Sequence, residues 1–142
     1  INGGSKMKDR YDIFPVGVIK KQEESFWIEI YDKYREALIG LDEFSHLTAC
    51  YWFHENDIPE KRSVLKVHPR NNKNNPLTGV FATHSPLRPN LIAISICKIL
   101  SIEGNTIHID KIDAFDGSPV IDIKCFIPSK VSESDIRLPD WV

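Results

Sequence analysis

Three short segments of this sequence combine histidine, carboxylate or arginine side chains with proline and glycine. They cover residues 52–56, 79–90 and 113–124. Carboxylates accept hydrogen bonds from hydroxyl and ammonium groups, and a guanidinium binds phosphate or carboxylate, so together they could hold a polar ligand. Taken one at a time, each segment also has the composition of an ordinary turn, which Asp, Ser, Pro and Gly favour without any function.

Residues 61–90 form a basic window that contains no Asp or Glu, although the whole chain has a net charge of −2. Its basic side chains are Lys61, Arg62, Lys66, Arg70, Lys73 and Arg88. A positive stretch inside an acidic chain attracts a phosphate backbone or an anionic ligand. A solvated loop of chance composition explains the same residues equally well.

The elements that must position these segments are mostly short strands. Alternating or continuous apolar patterns predict strands over residues 13–20, 47–53, 64–68, 79–83 and 119–126, with 47–53 buried on both faces. A hairpin is predicted from residues 92–97 and 106–110, with its turn at 103–105. One helix is predicted over residues 31–39, stopped by Gly40. Regular short strands with one helix indicate an all-β fold, a small closed β-barrel.

Several classes of protein are excluded by what the sequence lacks. No apolar stretch approaches the roughly 20 residues that cross a bilayer, so we expect no membrane segment. The chain has no G-x-G-x-x-G, phosphate-loop, G-x-S-x-G or H-E-x-x-H motif. Its histidines and aspartates lack the short spacings of a metalloenzyme, and we therefore predict no metal.

Composition and chain ends suggest a cytoplasmic protein with one domain. Cys50, Cys97 and Cys125 form no C-x-x-C motif and have apolar neighbours, as buried thiols of a reducing compartment do. Met7 is a candidate native start, with residues 1–6 an added remnant. Residues 7–128 would form the barrel, and residues 129–142 a C-terminal tail.

The polar segments, together with two further blocks, resemble the TsaA-like family of S-adenosylmethionine-dependent tRNA methyltransferases. The matching blocks are residues 40–46, His-Glu-Asn at 54–56, Val-His-Pro-Arg at 67–70, and the segments 79–90 and 113–124. They occur in the family's order between about residues 14 and 128. The resemblance implies a non-Rossmann β-barrel that methylates the N6 of threonylcarbamoyl-adenosine beside the tRNA anticodon. It also implies a homodimer.

The resemblance further implies which residues contact S-adenosylmethionine. These cofactor-binding candidates are His54, Glu55, His84, Ile94, Asp113, Ala114, Phe115 and Asp116. Asp113 or Asp116 would accept the ribose hydroxyls or the ammonium, and the backbone near Phe115 would hold the adenine edge. His84 stands where the family usually has arginine. No catalytic residue is identified, although either a carboxylate or the substrate's threonyl carboxylate could remove the proton from N6.

The tRNA-binding candidates come from the basic window. Arg70 and Arg88 are expected to contact phosphate or the threonyl carboxylate, and Lys66 and Lys73 to contact phosphates regardless of sequence. Asn90 would position its loop or contact a base. Phe81 or Trp52 could stack on an unstacked base, although core packing explains both. The alternative function is a non-catalytic RNA-binding barrel that uses residues 61–90.

Overall fold

Six antiparallel strands close into a barrel in the computed structural model, which describes residues 8–142. The strands of the chain are β1 Gly17–Gln22, β2 Ser25–Ile30, β3 His46–Trp52, β4 Lys66–Val67, β5 Thr78–Gly79, β6 Ile92–Glu103, β7 Thr106–Ile109 and β8 Pro119–Cys125. The barrel order is β1-β2-β7-β6-β3-β8, while β4 and β5 pair with each other outside it. The predicted closed all-β barrel is confirmed. Residues 1–6 and Met7, assigned above to a remnant and a start, lie outside the described residues.

Helical structure is limited to short turns. The single α-helix, α1, covers Pro59–Arg62 among the described residues. Short 3-10 helices cover Asp32–Leu38, Leu41–Glu43, His54–Asn56, Pro69–Asn71, Val80–Ala82 and Glu133–Asp135. The helix predicted over residues 31–39 is thus present as a 3-10 helix, and Gly40 follows it with φ +90°. No described helix has the length and apolar character needed to span a membrane.

Some predicted strands differ from those observed. β1 begins at Gly17, four residues later than predicted, and residues 80–82 form a 3-10 turn instead of a strand. β2 was not predicted at all, and it supplies Ile28 and Ile30 to the core. The expectation that residues 47–53 are buried on both faces is wrong. β3 alternates buried and half-buried side chains, because only its inner face points into the closed barrel.

The barrel interior is filled by alternate residues of its strands. Ile19, Ile28 and Leu47 are fully buried there. On β6 the small residues Ala93 and Cys97 face inward, whereas the isoleucines of the alternating pattern face outward and are exposed. Small barrels commonly mix small and large inward residues, because their interior has little room.

All three cysteines were predicted to be buried, and of these Cys97 is fully buried. Burial raises the pKa of the Cys97 thiol to about 11, so this thiol stays protonated at neutral pH. Cys50 and Cys125 are half-buried and unpaired.

Candidate functional site

Strand register brings the three polar segments to one rim of the barrel. Trp52 at the end of β3 pairs with Ile92 at the start of β6. The polar segment that follows β3 therefore meets the polar segment that precedes β6 at this rim. Tyr51 pairs with Val120 near the start of β8, which brings the segment from residue 113 to the same rim. The expected convergence of these segments is therefore a consequence of antiparallel pairing.

A cavity of about 690 Å³ opens at this rim, and we call it the first cavity. Its predicted lining residues are Glu55, His84, Arg88, Ile94, Asp113, Ala114 and Phe115. It is also lined by residues that sequence reasoning missed, among them Lys21, Tyr51 and Ser95. The volume lies within the range of about 300–1,000 Å³ that small-molecule sites occupy.

Other candidates lie beside the first cavity without lining it. His54 directly precedes the lining residue Glu55, and its Nδ1 is buried without a hydrogen-bond partner among residues 8–142. Asp116 follows Phe115, and its Oδ1 accepts a 2.7 Å hydrogen bond from the backbone N–H of Lys21. The cofactor contacts assigned to His54 and Asp116 stay predictions.

The tRNA-binding candidates do not lie together at one site. Arg88 lines the first cavity, and Arg70 lines a second one described below. Lys66, Lys73 and Asn90 line neither cavity and are exposed. The Asn90 side-chain oxygen accepts a 3.4 Å hydrogen bond from Arg62, which fits the expected role in holding its loop.

Tyr51 and Lys21 fasten the loop that carries Asp113 and Ala114. The Tyr51 hydroxyl donates to the backbone oxygen of Asp113 at 2.7 Å and lies 2.9 Å from the Ser95 hydroxyl. Lys21 Nζ donates to the backbone oxygen of Ala114 at 2.8 Å. Burial raises the pKa of Tyr51, which keeps its hydroxyl protonated as a donor. The sequence signal that could have identified Tyr51 is a tyrosine inside an apolar strand, because a buried hydroxyl needs a hydrogen-bond partner.

Arg88 fastens the loop that carries His84. One of its terminal nitrogens donates to the backbone oxygens of Thr83 and Ser85, at 3.1 and 3.0 Å. The Thr83 hydroxyl also accepts a 3.1 Å hydrogen bond from the Ser85 N–H. Arg88 therefore shapes the cavity wall as well as placing positive charge in it.

A second cavity, of about 930 Å³, lies on the other side of this wall. It is bounded by residues 67–71, 81–87 and the C-terminal residues 138, 139, 141 and 142. Thr83, His84 and Pro86 line both cavities. The second cavity is thus a direct neighbour of the first.

The two aromatic candidates for base stacking have different surroundings. Trp52 lies under the Arg62 guanidinium, 5.4 Å from the ring centre, and its Nε1 donates to Asp57 at 2.9 Å. That hydrogen bond is the main cause of the lowered pKa of Asp57, which also pairs with Arg62 at 3.1 Å. Phe81, in contrast, is 83% exposed and lines the second cavity. Of the two, Phe81 has the free ring face.

The chemistry of the first cavity fits S-adenosylmethionine. Glu55 and Asp113 supply carboxylates for an ammonium or a ribose diol, and Lys21 supplies a cation for a carboxylate. Ile94 and Phe115, which are 67% and 65% exposed, supply apolar surface for an adenine ring. Within residues 8–142, no three His, Cys, Asp or Glu side chains converge as the ligands of a metal would.

The fold and this cavity define a class: a closed antiparallel barrel with a small-molecule site at one rim. Residues 5–131 match the family described as the tRNA-methyltransferase O N-terminal domain, and the chain belongs to that family. The resemblance found in the sequence is therefore confirmed.

Named relatives agree with this assignment. A "Probable S-adenosyl-L-methionine-binding protein" of Methanocaldococcus jannaschii is 50% identical over 116 residues, covering 82% of this chain and 92% of the relative. A "tRNA (adenine(37)-N6)-methyltransferase" of Mus musculus is 39% identical over 109 residues, 77% of this chain and 25% of that protein.

A solved structure shares the fold. The crystal structure of TrmO from Pseudomonas aeruginosa matches with a TM-score of 0.67 and 28% identity, over 90% of this chain. This chain spans 61% of that structure.

Proposed function

We propose that this chain transfers a methyl group from S-adenosylmethionine to the N6 of an adenosine in tRNA, adenosine 37 beside the anticodon. The observation that carries the proposal is the first cavity, in which all three polar segments meet with a donor set that suits this cofactor. Membership of the tRNA-methyltransferase O family supports the same reaction. We assign the activity to residues 7–128, with residues 129–142 as a tail.

The chain's own residues act by binding and orientation. When bound, S-adenosylmethionine would supply a methyl group from its sulfonium sulfur, which keeps the electron pair of the broken C–S bond and leaves as a neutral thioether without acid catalysis. Glu55 and Asp113 balance its positive charge, while Ile94 and Phe115 cover its apolar parts. The hydrogen bonds from Tyr51 and Lys21 keep the loop in place, so that methyl and acceptor nitrogen can be held about 3–3.5 Å apart.

The acceptor that we propose is N6-threonylcarbamoyl-adenosine. Arg88 and Lys21 line the first cavity and offer cations for the threonyl carboxylate. The N6 of this nucleoside belongs to a urea-like group and loses its proton reluctantly. Glu55, Asp113 and the threonyl carboxylate are the candidate proton acceptors at this site.

We also propose that the active form is a homodimer that pairs through the outer face of β6. Four large apolar side chains on that face are 44–67% exposed: Ile92, Ile94, Ile96 and Leu100. Ile92 and Ile94 also line the first cavity, so a partner on this face would add to its wall. The cytoplasmic location stays a prediction.

Calorimetry with S-adenosylmethionine tests the proposed function. We expect binding by the native chain, and an affinity about 10- to 150-fold lower for Asp113→Asn, because a charge-assisted hydrogen bond is worth about 1.5–3 kcal/mol. Asp122→Asn is the matched control, since Asp122 is exposed on β8 and does not line the cavity. A chain that binds tRNA but gives no heat at millimolar cofactor is the non-catalytic RNA-binding barrel instead.

A further inference from the structure

The second cavity differs from the first in its chemistry. The described residues that line it include no Asp or Glu, whereas Glu55 and Asp113 line the first. Its polar side chains include the Arg70 guanidinium and the imidazoles of His68 and His84. A lining whose side chains include a guanidinium and no carboxylate favours an anionic ligand.

Two aromatic side chains add flat apolar surface to this lining. Phe81 lies on the 3-10 turn Val80–Ala82 and is 83% exposed, while its neighbour Val80 is 2% exposed and anchors the turn. The Val80 N–H donates to the Leu65 backbone oxygen at 2.9 Å, and the Thr83 hydroxyl donates back to the Val80 oxygen at 2.8 Å. These hydrogen bonds fix the backbone of the turn, which presents the large Phe81 ring to solvent. Trp141 supplies the second aromatic surface of the cavity.

Arg70 is held in an unfavourable backbone conformation. It has φ +58° and the next residue, Asn71, has φ +54°, in the region that side chains other than glycine rarely adopt. The turn is braced by the Asn75 side chain, which donates to the Pro69 oxygen at 2.8 Å. Among residues 8–142, no ion pair engages the Arg70 guanidinium. Strain of this kind persists where the surrounding structure imposes it, often at ligand sites.

We propose that the second cavity binds the base of a nucleotide that flanks the methylated adenosine, stacked on Phe81 and Trp141, with an adjacent phosphate at Arg70. Unstacked bases bind to aromatic side chains, and phosphates bind to arginine. The methylated base itself must reach the first cavity, and a wall shared by both cavities places the next nucleotide in the second. This inference rests on the proposed function and names a part of its RNA site.

Binding of a tRNA anticodon stem-loop, measured without cofactor, tests the proposal. Phe81→Ala should weaken binding about 5- to 150-fold, because stacking of one base is worth about 1–3 kcal/mol. Phe81→Tyr should keep most of the affinity. Tyr11→Ala is the control, since Tyr11 is 72% exposed and lines neither cavity. Calorimetry with S-adenosylmethionine should give the same affinity for the native chain and for every variant that binds RNA weakly.

Stem-loops with an abasic residue on the 5′ or 3′ side of adenosine 37 identify the stacked base. With one of them, the native chain and Phe81→Ala should bind equally, because the partner of Phe81 is missing. Arg70→Ala should lower the affinity for intact and abasic RNA alike and reduce the salt slope by about one. The proposal is wrong if Phe81→Ala binds intact RNA like the native chain, or if its loss is the same with intact and both abasic RNAs. Failure of cofactor binding would overturn the proposed function. The comparison of RNA affinities would still show whether a base stacks on Phe81.

Discussion

Single side chains in this molecule act mainly by holding backbone in place. Tyr51 is 3% exposed and spans from β3 to the loop at Asp113 through a 2.7 Å hydrogen bond. Arg88 does the same for the loop at His84. The loops with ligand-type side chains are thus held by hydrogen bonds from these residues, and preorganisation of this kind favours affinity.

Replacement of Tyr51 by phenylalanine removes this fastening and leaves the ring. We expect Tyr51→Phe to lower the free energy of unfolding by about 1–2 kcal/mol, since a partly buried hydrogen bond is lost, and to weaken S-adenosylmethionine binding. Urea unfolding and calorimetry measure the two effects. Tyr34→Phe is the control, because Tyr34 is half-buried and lines neither cavity. Unchanged stability and affinity would show that the hydroxyl does not hold the loop.

At the scale of elements, close approach of β1 and β2 depends on one glycine. Gly17 opens β1 and pairs with Ile30 of β2. A Cβ at this position would overlap the backbone oxygen of Glu29, which cannot move without disturbing the ladder. Gly17 also pairs with Val120 of β8, so the same residue takes part in the closure of the barrel.

Gly17→Ala should therefore destabilise the barrel by about 1–3 kcal/mol, as overpacking does. Gly79→Ala is a matched control, because Gly79 has φ −63° and its nearest atom to an added Cβ is 3.9 Å away. Thermal unfolding of the two variants gives the comparison. An equal melting temperature for both would mean that β1 adjusts and that Gly17 is not required for closure.

At the scale of the whole molecule, the exposed apolar side chains of β6 and the basic window belong to different segments of the chain. The outer face of β6 is apolar except for Lys98, whereas the connection from β3 to β6 carries the basic window and, with the C-terminal residues, lines the second cavity. An exposed apolar stripe on a protein of this size marks an interaction surface. The dimer proposed above would cover the stripe and leave the basic window free for RNA.

Sedimentation of Ile96→Glu tests the dimer. The native chain should sediment as a dimer and the variant as a monomer, because burying a carboxylate in an interface costs more in desolvation than pairing with Lys98, on the same face of β6, returns. Ile96 is 57% exposed and does not line the first cavity, so the fold should remain intact. Ile39→Glu is the control, since Ile39 is 85% exposed and is not part of β6. A native chain that sediments as a monomer at micromolar concentration would contradict the proposal.

Local patterns in the sequence were sufficient for the class of fold and singled out the three polar segments that meet at the first cavity, whereas the individual cofactor contacts came from the family resemblance. The period-two hairpin of β6 and β7 and the turn chemistry around Gly104 are properties of neighbouring residues, and both are confirmed. The polar segments were found because their composition interrupts apolar strands. β2 was not predicted. The outward direction of the isoleucines in β6 was not predicted either, because alternation does not reveal which face of a strand is buried.

Contacts between distant residues required the folded barrel. Lys21 reaches the loop at Asp116 across 95 residues, and Tyr51 reaches Asp113 across 62. The second cavity joins the turn at Arg70 to Trp141 near the end of the chain. Composition and periodicity are local quantities, and they identified the chemical groups and the strands. Barrel closure, which depends on the register of all six strands together, brought the polar segments to the first cavity, and the packing of the β3–β6 connection against the C-terminal residues formed the second.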